Sequence, residues 1–160
     1  MEDFLLQFFS KELVVFIISM IPIVELRGAI PVGVAWGVKP LVAYLVAVLG
    51  NIFPVPFIIF FFRPVIEYLE KTKLFGKFAE KLKNRIHKKA KDMNGIKLLA
   101  LYLFVAIPLP GTGAWTGAAI AALLKMRIKH SFIAIALGVA SAGLIMMVLS
   151  HFGVSLFKTI

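Results

Sequence analysis

The stretch PIVELRGAIP, from Pro22 to Pro31, places an acid, an arginine, a glycine and two prolines inside strongly apolar sequence. Each charged group at membrane depth costs about 2.5 to 3.5 kcal/mol on insertion scales. Prolines remove helix donors, and lipid tolerates the freed carbonyls only where protein or water binds them. We therefore expect this stretch either to be folded into the protein interior or to be used for function.

The composition of the whole chain is that of an integral membrane protein. Its 160 residues are 61% hydrophobic with a mean hydropathy of +0.95, which favours one membrane domain over residues 1–160. The net charge of +10 falls mostly between apolar runs, so anionic lipid headgroups are expected as partners rather than nucleic acid. The acidic N-terminus predicts no removable signal peptide.

Several classes of site have no support in the sequence. There is no cysteine, and the three histidines are far apart, so no disulfide, metal site or cofactor is predicted. Neither a nucleophile–base–acid set nor a P-loop is present, so we expect no enzymatic activity.

The apolar runs follow the same order twice. In residues 13–62 a short run, the Pro22–Pro31 break, a second short run and a basic residue precede a long apolar span. Residues 96–157 repeat this order, with the break at 108–113. Pro22 and Pro108 are 86 residues apart, and at this offset Glu25 corresponds to Gly111. Paired short segments interrupted by Gly and Pro are typical of transporters built from repeats, with the site at the breaks.

Residues 63–95 join the two halves and are strongly basic. Apolar residues recur there at three- and four-residue intervals, which predicts an amphipathic helix on the membrane surface. A solvated charged helix that only links the halves is the alternative. Residues 2–12 are expected to form a short interfacial helix.

The distribution of basic residues also predicts a topology. If each pair of short runs is a re-entrant hairpin, each half crosses the membrane once and the two repeats are inverted. The basic linker and the 125–130 loop then lie on one side, which the positive-inside rule makes cytoplasmic. Both termini and the turn at Lys39 lie outside. We therefore predict an all-α membrane protein with two inverted repeats, each a re-entrant helical hairpin plus a transmembrane helix, joined by the linker helix.

Glu25 is the only acid outside the N-terminal segment and the linker. An acid at membrane depth can bind and release a proton, as in many proton-coupled carriers. The alternative is a structural role, in which Glu25 forms an ion pair or caps backbone amides at the hairpin tip. On an unbroken helix Glu25 and Arg27 would point to different faces, whereas in an extended tip they could converge.

Arg27 and the second break are the candidates for binding substrate. The guanidinium of Arg27 matches phosphate in bidentate fashion, although it could instead only neutralise Glu25. The second break offers hydroxyls, an indole and free amides, and we expect Thr112, Trp115 and Thr116 to contribute there. Asn51 is either a helix-to-helix contact or a ligand contact. The residues expected to break the hairpins are Pro22, Gly28, Pro31, Pro108, Pro110, Gly111 and Gly113; close helix packing is the alternative for the glycines.

The motifs Pro22–Pro31 and PLPGTGAWTG at 108–117 resemble the small multidrug export protein family of prokaryotes. That family is similar to the wider DedA/VTT group, whose members have two opposed re-entrant hairpins with an acid and an arginine at membrane depth. The resemblance implies a multi-pass protein of the prokaryotic inner membrane, with Glu25 at the acidic hairpin position. It also implies movement of lipids, including polyprenyl phosphates, or proton-dependent drug tolerance. This chain departs from the wider group because its second hairpin has Thr112 and Thr116 but no arginine.

Three functions follow from these observations. The first is a proton-coupled translocase of an anionic amphiphile, such as a polyprenyl phosphate or a phospholipid, with Glu25 and Arg27 in its site. The second is a proton-coupled exporter of cationic amphiphiles, with Arg27 structural. The third is a scaffold that transports nothing and recruits lipid or protein through its basic linker. Expected partners are membrane lipids, the amphiphilic substrate, protons and, to enclose a pathway, a homodimer.

Overall fold

The computed structural model describes residues 10–70, 94–109 and 111–159. These residues form seven helices and no strand, which confirms the all-helical class: α1 Lys11–Met20, α2 Glu25–Ala35, α3 Pro40–Ile52, α4 Val55–Glu70, α5 Asn94–Ala106, α6 Ala114–Leu123 and α7 Ile128–Thr159. The predicted interfacial helix at 2–12 and most of the predicted linker helix lie outside the described residues. Where the linker is described, its first residues continue α4 and its last residues begin α5.

Two segments are long and apolar enough to cross a membrane, Pro40–Val65 and Ile128–Gly153. They match the two predicted spans. The first consists of α3 and α4, which meet at Phe53 and Pro54. The second lies within the single helix α7.

The outer surface of the first span is apolar. Large side chains recur every fourth residue, and each is more than half exposed: Leu41, Leu45, Leu49, Phe53 and Phe57. The opposite face carries small residues, of which Ala43 and Ala47 are fully buried. A soluble monomer rarely exposes so long an apolar stripe, whereas lipid covers such a stripe without cost. The small residues on the opposite face let neighbouring membrane helices approach closely.

The break that follows α1 is shorter than the sequence predicts. Only residues 21–24 are non-helical, and Gly28 and Pro31 lie inside α2 rather than at a break. Pro31 has no amide to donate to the carbonyl one turn before it. The helix continues because it packs against α1, α3 and α7, and such packing supports proline within membrane helices.

The two halves use the same close contact between a short helix and a span. In the first half Gly50 of α3 lies against the carbonyl of Phe16 in α1. In the second half Gly138 of α7 lies against the carbonyl of Tyr102 in α5. The glycines are 88 residues apart, and the residues that they contact are 86 apart.

The turns after the second short helices also match. Gly37 after α2 and Lys125 after α6 both have left-handed backbones, with φ of 85° and 50°. The amides of residues 36–38 bond to the carbonyls of residues 32–34, and the same three bonds occur at residues 124–126, an offset of 88. The offset thus changes from 86 to 88 within the second break. At the breaks themselves, the cap residues of the second short helices, Val24 and Gly113, are 89 apart, so neither offset alone gives the residue equivalent to Glu25.

Each pair of short helices folds back on itself. Lys11, at the start of α1, donates a hydrogen bond of 2.7 Å from Nζ to the carbonyl of Trp36, just after α2. In the second half, Lys97 near the start of α5 lines one cavity with Leu124, just after α6. Arg63 near the end of the first span donates to the carbonyl of Met126, so this end lies beside the α6–α7 turn.

Candidate functional site

The two breaks meet inside the protein, at the first turns of α2 and α6. The indole Nε1 of Trp115, in α6, donates to the carbonyl of Met20 at the end of α1, with a distance of 3.1 Å. The amide of Trp115 faces Glu25, the first residue of α2. The start of a helix carries unpaired amides and a partial positive charge, and here two such starts converge.

Glu25 lies between these two helix starts and is only 5% exposed. Its Oε1 accepts a hydrogen bond from the amide of Trp115, with a distance of 3.4 Å. Gly113, the cap residue of α6, has no side chain that could accept a hydrogen bond from the first amides of the helix. The Glu25 carboxylate therefore caps α6 from another helix, as the structural alternative expected.

The space that the carboxylate occupies exists because residue 113 is glycine. A Cβ at Gly113 would overlap both carboxylate oxygens of Glu25. The backbone of Gly113 has φ of −116°, which any residue can adopt, so the requirement for glycine is one of space alone. The Glu25 carboxylate therefore occupies the space that a side chain at position 113 would take.

Arg27 joins the two breaks. Its guanidinium donates to the carbonyls of Leu109 and Thr112, and Nη2 lies 3.0 Å from the Thr112 hydroxyl and 3.4 Å from the Ile107 carbonyl. The prolines of the second break leave carbonyls without helical donors, and Arg27 supplies donors for them. These hydrogen bonds go to the second break and not to Glu25, and the charges of Arg27 and Glu25 also lie within electrostatic range of each other.

The structure brings together most of the residues predicted to bind substrate or protons. Glu25, Arg27, Thr112 and Trp115 form one contiguous group at the meeting point of the breaks. Thr116 does not belong to it, because its side chain is exposed on the outside of α6. Asn51 is buried in α3, and its Oδ1 has no hydrogen-bond partner among the described residues.

The residues predicted to break the hairpins divide into three sets. Those in the non-helical segments are Pro22, Pro108, Gly111 and Gly113, and Gly111 has a left-handed φ of 81°. Gly28 and Pro31 lie in α2, as described above. Pro110 lies outside the described residues.

An apolar cavity beside the site was missed in the sequence. Its volume is about 240 Å³, and Trp115 and Met20 form the wall nearest Glu25. The rest of the lining comes mainly from α4 and the joint before it, through Phe53, Phe57, Phe61 and Phe62. These rings are 41 to 63% exposed, so the cavity opens on the apolar outer surface of the first span. Phenylalanines at positions 53, 57 and 61 lie on one face of a helix, so their four-residue spacing is the signal that could have predicted it.

The arrangement offers one buried carboxylate next to an aromatic wall. A carboxylate can exchange a proton for an organic cation, and aromatic rings bind such cations through their faces. Among the described residues no group of His, Asp and Glu side chains has the composition of a metal site.

Comparisons with known proteins place this geometry in a family. No curated protein and no solved structure matches the chain. A family model described as "Putative small multi-drug export protein" matches residues 25–145. This range begins at Glu25, directly after the first break, and includes the second break, all of the first span and most of the second. The chain therefore belongs to this family of small membrane proteins, as its two break motifs predicted.

Proposed function

We propose that the protein exports cationic amphiphilic molecules across the membrane in exchange for protons. The observation that carries the proposal is the buried Glu25 carboxylate, which accepts a hydrogen bond from the amide of Trp115. The same residue, Trp115, lines the aromatic cavity. An amphiphilic cation would place its apolar part in the cavity and its charge at Glu25. The family description, which names small multi-drug export, supports the same class of substrate.

The contacts of Glu25 suggest how protonation is coupled to movement. Hydrogen bonds from amides to a carboxylate are stronger than those to a neutral acid. Protonation of Glu25 therefore weakens the link between α2 and the start of α6, and it also removes the charge that holds the cation. Release of the proton on the other side restores the carboxylate and its cap.

A phosphate-bearing lipid is the second candidate substrate. That role would require the Arg27 guanidinium to face the ligand, as the resemblance to the wider DedA/VTT group led us to expect. Here the terminal nitrogens of Arg27 are bonded to carbonyls of the second break. The geometry accordingly favours Glu25 and a cationic substrate over Arg27 and an anionic one.

The same proposal includes two inverted repeats whose short helices re-enter the membrane from opposite sides. Supporting observations are the fold-back of α1 on α2, the fold-back of α5 on α6, and the meeting of both breaks inside the protein. The site would then lie near the middle of the bilayer, where transporters with broken helices bind substrates.

The test is transport by the purified protein in liposomes. Ethidium is a suitable probe because it is a cationic, aromatic amphiphile. An imposed pH gradient should drive ethidium transport, and Glu25→Gln should reduce it to the level of empty liposomes, since the amide can neither release a proton nor attract a cation. Glu12→Gln is the matched control, because Glu12 is an exposed acid in the first turn of α1; it should transport normally.

Two results would overturn the proposal. One is ethidium transport that Glu25→Gln leaves unchanged. The other is translocation of labelled polyprenyl phosphate or phosphatidylglycerol that depends on Arg27 while ethidium is not moved. The second result would instead establish the lipid-phosphate function.

A further inference from the structure

A second cavity lies at the far end of the molecule from the α2–α3 turn, between the start of α5 and the α6–α7 turn. Its volume is about 290 Å³. Four of the described residues that line it carry basic groups, namely Lys97, Lys125, Arg127 and His130, and none is acidic. Leu98 and Leu124 add an apolar part. A cavity with this lining suits an anion that carries an attached apolar group.

The lysines near the starts of the two halves differ in what they contact. Lys11 in the first half is equivalent to Lys97 at the offset of 86. The Lys11 amine donates a hydrogen bond to the carbonyl of Trp36 in the α2–α3 turn, so this lysine is already bound to a group of the protein. Lys97 is half-buried, lines the cavity, and donates no hydrogen bond to any described residue. Its charge is therefore available to a ligand.

The backbone adds to the positive potential of the cavity. Helix α7 begins at Ile128, and its first intrahelical bond is donated by Ser131 to the carbonyl of Arg127. The amides before Ser131 belong to the first turn and have no acceptor within the helix, and anions bind favourably at such helix starts. Arg63 fixes the turn by donating to the carbonyl of Met126.

We propose that this cavity is a binding site for a phosphate group, supplied by an anionic lipid headgroup. The cavity lies at one end of both membrane spans, because Val65 ends the first span and Ile128 begins the second. Headgroup phosphates lie at this depth, and basic pockets between membrane helices bind them. Lys97 and Arg127 bind the phosphate, and Leu98 and Leu124 contact the start of the acyl chains. The site is separate from Glu25 and does not depend on the transported substrate.

The experiment compares two lipids that share acyl chains and differ in headgroup. The detergent-solubilised full chain is mixed with dioleoyl phosphatidylglycerol or dioleoyl phosphatidylcholine, and lipid retention is measured by native mass spectrometry. We expect preferential retention of phosphatidylglycerol, and a loss of roughly tenfold or more in the double variant Lys97→Gln, Arg127→Gln. The double variant Lys11→Gln, Lys39→Gln removes the same charge from the equivalent elements of the first half and should retain the lipid.

Inorganic phosphate distinguishes the two sources of the ligand. If millimolar phosphate displaces phosphatidylglycerol, the phosphate group alone is sufficient and free phosphate also binds; if it does not, the site requires the lipid. Should the double variant not fold, Arg127→Gln alone gives the same readout at an exposed position. Equal retention of both lipids by the natural chain would overturn the proposal, and so would an equal loss in both double variants. Glu25→Gln should leave retention unchanged, so failure of the export proposal would not affect this result.

Discussion

At the scale of single residues, Glu25 combines an unfavourable backbone with favourable side-chain contacts. Its φ of 51° is left-handed, which costs a residue other than glycine about 1 to 2 kcal/mol. The carboxylate offsets this cost by capping α6, which is worth about 1 kcal/mol at an ordinary helix start. Residues held in such conformations cluster at functional sites, which agrees with the role that we propose for Glu25.

The contact between Glu25 and Gly113 gives a direct prediction. Gly113→Ala should destabilise the protein by about 1 to 3 kcal/mol, the usual cost of overpacking, because the new methyl overlaps the carboxylate. On a Glu25→Ala background the same substitution should cost much less, since the carboxylate is absent. Both effects are measured by unfolding in detergent micelles, followed by tryptophan fluorescence.

The two substitutions form a double-mutant cycle, in which residues in contact show a coupling energy. Gly95→Ala provides the control, because the position that its Cβ would take is open space among the described residues beyond its own helix turn. An equal cost of Gly113→Ala on both backgrounds would show that the carboxylate does not occupy this space.

At the scale of elements, the turn after each second short helix is fixed by one left-handed residue. The first turn uses Gly37 with φ of 85°, and the second uses Lys125 with φ of 50°. In both, the amide after this residue bonds to the carbonyl five residues earlier, which is the Schellman pattern at helix ends. These turns direct the chain from the short helices into the spans and so set the angle between them.

Gly37→Ala should destabilise the protein by about 1 kcal/mol or more through the backbone alone, since open space surrounds the position of the new methyl. Gly95→Ala should be neutral or stabilising, because Gly95 is in helix α5 and alanine favours a helix by up to about 1 kcal/mol. Unfolding in micelles measures both changes. The prediction fails if Gly37→Ala is as stable as Gly95→Ala.

The helices could be predicted from the sequence to different degrees. The spans were predictable because their length and apolar composition are properties of the local sequence. The extent of the first break was not predictable. Pro31 indicates a break, but α2 continues past this residue because it packs against three neighbouring helices. The partner of Arg27 was not predictable either, because its hydrogen bonds reach residues more than 80 positions away. The change of offset between the halves was not predictable, since side-chain identity between them is too weak to locate an insertion.

At the scale of the whole molecule, the proposed topology places the α2–α3 and α6–α7 turns on opposite sides of the membrane. If the short helices crossed as kinked spans, the two turns would lie on the same side. The difference can be measured because the chain contains no cysteine, so a single introduced cysteine is the only thiol.

Lys39→Cys places a thiol in the α2–α3 turn, and Lys129→Cys places one in the first turn of α7, directly after the α6–α7 turn; both positions are exposed. A membrane-impermeant maleimide should label Lys39→Cys in intact cells and Lys129→Cys only after permeabilisation, as the positive-inside rule expects. The natural chain should remain unlabelled under both conditions. Labelling of both variants from the same side would rule out the re-entrant arrangement.

The small space at Gly113 has a consequence for the origin of such a chain. If the two halves descend from one ancestral half, the two copies could not both have placed an acid between the helix starts, because the room there holds a single carboxylate. A glutamate facing a second glutamate would bring steric overlap and two like charges into a buried space. Once one copy retained the acid and the other became glycine, the halves were no longer interchangeable. A fused gene keeps the unequal pair together in every molecule, whereas separate identical subunits could not.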